Sequence, residues 1–457
     1  MILLAINWAS VSVQVGQLLL ALSILVVLHE FGHYITARWF GCRVEKFFLF
    51  FDPWFALVKK KVGDTVYGIG WLPLGGYVKI SGMIDESMDK EQLKLPPKEW
   101  EFRSKPAWQR LIVMLGGVIM NVLVAFVIYA FVLMVWGERN IPIASVKNGI
   151  WVTDSLMTKL GFENGDKVIA VDGDSIKFFE DIQPKVLIGG RKVLIERNGQ
   201  LKELEIEKNL IGKLVTRKDK KRQLITMRVP TIVGEYDDDD TAYGKKAGLQ
   251  PLDRIISVND EPVEFMDQIN TIGSKHKNGV VSVKVLRGTD TVILSNKVNG
   301  YGRLGINMLN YEQYDSIGAY TVITTKYGFF SAFPAGVRKS GQKLSSYIDQ
   351  FKLILDPETE AYKAVGGFKA IGSVFATEWD WESFWNITAF LSIVLAFMNL
   401  LPIPALDGGH VMFTLYEMIT RRKPNEKFLE YAQMAGMILL LLLMLYANGN
   451  DWFGWGK

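Results

Sequence analysis

The feature that most constrains this chain is a run of 26 residues, Leu111–Trp136, without one charged side chain, bracketed by Arg110 and Glu138. A bilayer-spanning helix needs about 20 mostly apolar residues. Three further stretches approach that length. The first runs from about Val15 to Phe40, with no charge in Leu18–Leu28. Phe384–Leu401 is followed by a Pro-rich turn, and Ala432–Ala447 contains the run Ile438–Tyr446. One such run could be the core helix of a soluble protein. Four in one chain predict a polytopic α-helical membrane protein with four transmembrane helices.

Charge then sets the orientation. Of 457 residues, 52 are basic and 48 acidic, a net charge of +4. That is too balanced to argue for nucleic acid, and no nucleic-acid partner is expected. Between the first two apolar runs lie Arg38, Arg43, Lys46, Lys59, Lys60, Lys61, Lys79 and more up to Arg110; between the last two lie Arg421, Arg422, Lys423 and Lys427. Basic short loops stay cytoplasmic. Both termini and the long segment 138–383 are therefore expected outside. No basic side chain precedes Arg38 and no small-residue cleavage site follows the first run, so that helix is read as retained and not as a signal peptide. The single cysteine, Cys42, excludes a disulfide framework and a cysteine-rich metal site, and is read as a small, partly buried residue.

The outer segment repeats itself. Leu160-Gly-Phe-Glu-Asn-Gly-Asp-Lys-Val-Ile-Ala-Val-Asp172 matches Ala247-Gly-Leu-Gln-Pro-Leu-Asp-Arg-Ile-Ile-Ser-Val-Asn259 at an offset of 87 residues. Each copy reads as a turn, a short strand and a tight turn at Asp172-Gly173 or Asn259-Asp260, with Leu252 standing where the first copy has Gly165. The pattern resembles PDZ domains, which implies two PDZ-like α+β domains in tandem that either bind extended peptides by strand addition or serve as steric bulk. Beyond them Leu344, Tyr347, Ile348, Phe351 and Leu355 form the stripe of an amphipathic helix, lying on the membrane surface or against the PDZ-like pair. Asp237–Asp240 reads as a solvated loop and His276 as a hairpin turn residue.

The chemistry sits inside the first apolar run, at His29-Glu30-Phe31-Gly32-His33. Two His at i and i+4 share one helical face, so both imidazoles can reach one metal ion, and Glu30 projects from the neighbouring face, where it can contact a metal-bound water. Such groups within an apolar span are costly unless they act together. Zinc needs a third protein ligand, and the candidate is Asp407 in Asn399-Leu-Leu-Pro-Ile-Pro-Ala-Leu-Asp-Gly-Gly-His410. At 1.5 Å per residue, Leu401 lies roughly 26 Å deeper than Phe384, while His33 lies about 7–10 Å short of the cytoplasmic end of the first helix. The two clusters converge in depth. Pro402, Pro404 and Gly408-Gly409 break the helix there, which is tolerated where backbone lines a buried or watered cavity. His410 could be a fourth ligand. A role behind the ligands or at a helix start is preferred, because a closed site would leave no room for water.

With these motifs, and with Leu72-Pro-Leu-Gly-Gly-Tyr-Val-Lys79 and Gly116-Gly-Val-Ile-Met-Asn121 in order between them, the chain resembles the site-2 protease family. Within it, the chain is similar to bacterial regulator-of-sigma-E (RseP-type) intramembrane proteases. The resemblance implies His29, His33 and Asp407 as Zn2+ ligands and Glu30 as general base. It implies a cytoplasmic, membrane-associated β-hairpin, here 64–80, in which Gly75, Gly76, Tyr77 and Val78 present an edge strand to substrate, with Asn399 close to the substrate backbone. Phe50-Phe51-Asp52-Pro53 departs from a glycine-rich stretch that family members often carry. The expected divisions are 1–40, 41–107, 108–137, 138–225 and 226–310 (the PDZ-like pair), 311–383, 384–411 and 412–457. The expected protein is a monomer of the bacterial inner membrane. Its implied substrates are the transmembrane segments of pre-trimmed single-span proteins of anti-sigma-factor type, with remnant signal peptides as further candidates. A non-catalytic PDZ scaffold would make the metal motif a relic, and a transporter would show inverted repeats among the spans; none is visible.

Overall fold

The computed structural model describes residues 8–73, 75–83, 96–217, 223–236 and 242–456; the acidic run Asp237–Asp240 lies outside the described residues. The chain forms two compact units, one of Met1–Gly137, Lys326–Ile354 and Tyr362–Lys457, the other of Glu138–Thr325 and Leu355–Ala361.

The first unit holds the apolar helices α1 (Trp8–Trp39), β-strands β1 (Val44–Leu49), β2 (Phe51–Val62), β3 (Thr65–Leu72) and β4 (Tyr77–Ile80), and helices α2 (Ala107–Val135), α3 (Phe329–Leu355), α4 (Trp381–Leu400), α5 (Asp407–Thr420) and α6 (Glu426–Phe453). Among the described residues, α1, α2, α4 and Lys427–Phe453 of α6 are long and apolar enough to cross a membrane. Small residues let these helices approach closely where no hydrophobic force drives them together. A Cβ on Gly32 of α1 would collide with the Gly116 carbonyl of α2, and one on Gly116 would come 2.7 Å from Thr36 Oγ1. After Leu400 the chain leaves the helix, and α5 begins at Asp407 with Gly409 folded under the turn, where a Cβ would lie 2.7 Å from Pro404 Cα.

Between α1 and α2 the strands form one sheet in the order β2-β3-β1-β4. The expected hairpin over 64–80 is corrected here: β3 and β4 do not pair with each other. Strand β1 lies between them, parallel to β3 and antiparallel to β4. Its apolar Phe47-Phe48-Leu49, with Phe48 buried, belongs at the middle of the sheet. The hairpin is β2–β3, turned at Gly63 with φ +60°, and β4 is left as an edge strand.

Helix α3 carries the amphipathic stripe, and aromatic residues of that stripe pack on α4. Tyr347 stacks edge-on against Phe390 and Phe397 of α4, and Phe351 against Phe397. Gly336 lies so close to α2 that a Cβ would meet Ala130 N at 2.7 Å. A stripe identifies a buried face but not the surface that buries it.

The second unit contains the same four-stranded sheet twice. In chain order its strands are Lys167–Val171, Asp174–Ser175, Lys192–Arg197 and Gln200–Glu205 in the first copy, and Arg254–Val258, Glu261–Pro262, Val280–Arg287 and Asp290–Lys297 in the second. Both copies have the second strand beside the first, the first beside the third and the third beside the fourth. Asp172 and Asn259 both turn at φ +51°, and each accepts backbone N–H bonds through Oδ1, from Lys192 and Ser282 respectively. His276 is corrected from a hairpin turn to the C-cap of the helix Met266–Lys275. The left-handed turn follows at Asn278.

Candidate metal centre

Helix α1 places His29 and His33 one turn apart, and the break after α4 brings Asp407 to them from far along the chain. Asp407 Oδ2 lies 3.2 Å from His29 Nε2 and 3.3 Å from His33 Nε2. The two Nε2 atoms are 3.3 Å apart. Among the described residues this is the one group of three such side chains with metal-ligating atoms in mutual reach. Bonds of about 2.0–2.1 Å to a tetrahedral ion separate its ligand atoms by about 3.3–3.4 Å. The triangle has that spacing.

Hydrogen bonding explains why the triangle needs a cation. His33 Nδ1 donates to the Val113 carbonyl of α2 at 2.9 Å, which leaves the lone pair on Nε2. His29 Nδ1 lies 3.2 Å from the Asn121 amide. With the amide nitrogen toward the ring, Asn121 Oδ1 is buried without a partner. Turning the amide over lets Oδ1 accept from His29 Nδ1–H, satisfies the orphan and places that lone pair on Nε2 as well. Asp407 Oδ2, itself buried with no hydrogen-bond partner, then faces two nitrogen lone pairs. Three converging lone pairs are relieved by a cation among them, and their spacing and donor types fit a zinc ion.

Glycine keeps the imidazoles in place. A Cβ on Gly117 would lie 2.7 Å from His29 Nδ1 and against His33 Nε2. Any side chain there would push into the ligands.

The ligands open onto a cleft of about 620 Å³ that Glu30, Gly76, Tyr77, Val78 and His410 also line. Glu30 and Val78 of the edge strand β4 line the same wall of this cleft, which sets the proposed base beside that strand. Gly76 sits where a Cβ would meet Glu30 Cγ at 3.5 Å and the Phe48 carbonyl at 2.7 Å. Gly75, at φ +150°, faces the Phe51 ring instead of the ligands. Asn399, at the end of α4, places its amide 3.4 Å from His29 Nε2. Tyr77 Oη donates to Asp52 Oδ1 at 2.7 Å and accepts from Lys46 Nζ at 3.2 Å. The departure at Phe50–Pro53 thus supplies a polar rim, with Phe50 and Trp54 in left-handed backbone at φ +67° and +71°. His410 lines the cleft one turn beyond Asp407, outside the three-residue ligand group.

Sequence reasoning named Gly117 and Asn121 only within the Gly116–Asn121 motif, without a role, and did not single out Val113. Asn121 carried a usable signal, as a polar amide inside a 26-residue uncharged run, where polar groups are retained for a partner. The Val113 carbonyl carries no signal at all.

Comparison with known proteins gives the family of the chain. The chain is 27% identical over 454 residues to a Treponema pallidum protein named "Putative zinc metalloprotease", covering 94% of this chain and 96% of that one. A Vibrio cholerae protein of the same name is 27% identical, with 95% and 97% covered. Metalloprotease MmpA of Caulobacter vibrioides is 26% identical, with 95% and 94% covered. The profile of peptidase family M50 matches residues 17–443. That match begins ahead of His29 and runs past Asp407 into α6, so the chain belongs to peptidase family M50, with Zn2+ as its metal.

Proposed function

We propose that this chain is a zinc-dependent intramembrane endopeptidase of the RseP type, cutting transmembrane segments of pre-trimmed single-span proteins such as anti-sigma factors, and remnant signal peptides. The observation that carries the reading is the tetrahedral spacing of His29, His33 and Asp407 beside Glu30, in a cleft walled by a sheet edge. Zinc held by these three residues would polarise the scissile carbonyl and make water a better nucleophile. Glu30 takes the proton of the attacking water on its carboxylate and passes it to the leaving amine. Its carboxylate lines the cleft together with the three ligands and Val78. A substrate helix has its backbone groups paired internally and must unwind before cleavage. The edge of β4 offers replacement backbone partners to the extended chain, and Asn399 adds an amide near the reacting bond.

The basic loops support a multi-pass protein of the bacterial inner membrane, acting as a monomer, with both termini and the repeats periplasmic. The repeats are read as a PDZ-like pair that gates substrates by size. Deleting residues 145–305 and bridging the gap with a flexible linker should preserve cleavage of a pre-shortened substrate and admit an untrimmed one. Loss of cleavage of the short substrate, with zinc retained, would show that the repeats deliver substrate instead.

Glu30→Gln tests the chemistry. Gln keeps the shape but cannot take a proton, so peptide hydrolysis should fall by at least about a thousandfold while zinc content by metal analysis stays near one per chain. Turnover above a few per cent of wild type would place the base elsewhere.

A further inference from the structure

The cleft does not end at the metal ligands. A second cavity of about 310 Å³ shares Met83, Ala405, His410 and Gln433 with it and continues past Phe413 and Leu429. Of these shared residues, Gln433 stands out chemically. It is the one amide side chain in α6 between Glu430 and Asn448, in a stretch otherwise apolar apart from tyrosines. It is half-buried, lines both cavities, and makes no hydrogen bond to any described residue.

The depth of Gln433 is fixed. One turn along α6, Gly436 abuts the Pro404 carbonyl so closely that no side chain fits. This contact holds α6 against the turn that leads through Ala405 to Asp407. A half-buried amide that faces a cleft can be solvated while the cleft is empty and can exchange that solvent for a polar group of a bound chain. Its natural partner is a group that offers one donor and one acceptor together, and a peptide unit of an unwound chain is such a group.

Resting on the peptidase reading above, we infer that Gln433 is a positioning residue for the substrate backbone, placed where the cleft opens into the second cavity, and that this cavity receives the chain on one side of the scissile bond. The substrate is then held by three kinds of backbone partner: the β4 edge, the Asn399 amide and the Gln433 amide. The last of these comes from a helix that supplies no metal ligand.

The test uses the full-length protein in detergent micelles with a synthetic single-span peptide carrying a fluorophore and quencher. Gln433→Leu should lower kcat/KM on the order of tenfold, with the loss in KM and zinc content unaltered. Gln433→Asn should recover part of the loss, because the amide is kept. In parallel, Gln433→Cys provides an accessible thiol, since the native Cys42 is buried. Cysteines placed along the peptide should crosslink to it at a few adjacent positions on one side of the cleavage point. An unchanged KM in Gln433→Leu, or crosslinks spread evenly along the peptide, overturns the inference. If the wild-type protein binds zinc but cleaves nothing, the proposed function falls, while crosslinks confined to a few adjacent peptide positions would still show that Gln433 meets a bound chain in one register.

Discussion

Buried carboxylates in this protein follow two rules, and Asp407 departs from the one that the repeat-bearing unit keeps and that Glu101 keeps with Arg103 in the membrane unit. In the repeat-bearing unit, four buried aspartates each meet an arginine: Asp154 with Arg217, Asp166 with Arg197, Asp253 with Arg287 and Asp267 with Arg228. The charge is balanced by the chain itself, and each guanidinium also supplies hydrogen bonds. In the membrane unit Asp407 meets two imidazoles whose facing nitrogens carry lone pairs. There the chain leaves the balancing charge to a metal. A carboxylate paired with arginine stabilises a fold; one surrounded by neutral acceptors makes a binding site.

Exchanging aspartate for asparagine at one site of each kind breaks the comparison most directly. Asp407→Asn replaces an anionic ligand with a poorer neutral one. Zinc affinity should fall by more than about a hundredfold, the range already seen for changes behind the ligands, and activity should fall with it. Fold stability without metal should change little. Asp253→Asn leaves the Arg287 charge uncompensated and should cost about 2 kcal/mol of stability without altering zinc binding. Zinc titration and hydrogen exchange on both variants separate the two rules. Normal zinc binding by Asp407→Asn would make His410 the third ligand.

A smaller effect is expected at Asn121. Asn121→Leu removes the acceptor that orients His29 and should weaken zinc binding by about tenfold to a hundredfold, measured by competition with a chelator. Asn121→Asp keeps the acceptor and should hold zinc more tightly than the leucine variant.

How legible these features were in the sequence follows from how local they are. His29 and His33 share a helical turn, so spacing alone places them together. Asp407 could be matched to them in depth because helix rise is constant. The repeats were visible because both copies keep the turn, strand and turn within thirteen residues. What escaped depends on crossings. Strand β1 inserts between β3 and β4 through a parallel pairing with no local signature. Val113 and Asn121 face the imidazoles only because Gly32 and Gly116 let α1 and α2 touch. Helix α3 showed its apolar stripe but not that α4 would cover it.

The smallest expected effect sharpens the comparison within the repeated unit. The first copy places Gly165 at φ +96°, and the second places Leu252 at φ +68° in the corresponding turn. A leucine in left-handed backbone is strained by about 1–2 kcal/mol. Leu252 is 67% exposed, so its side chain returns little packing, while its backbone N–H still donates to the Val233 carbonyl at 2.8 Å. Leu252→Gly relieves the strain but gives the unfolded chain more freedom, a loss of about 0.5–1 kcal/mol. The net gain should be about 0.5 kcal/mol in the second copy, read as slower amide exchange in the strands Arg254–Val258 and Val280–Arg287. Gly165→Leu should act in reverse and more strongly, because its Cβ would also press on Arg228 at 3.3 Å, the arginine that pairs with buried Asp267. Faster exchange in Leu252→Gly would mean that the leucine side chain is stabilising the turn in spite of its exposure.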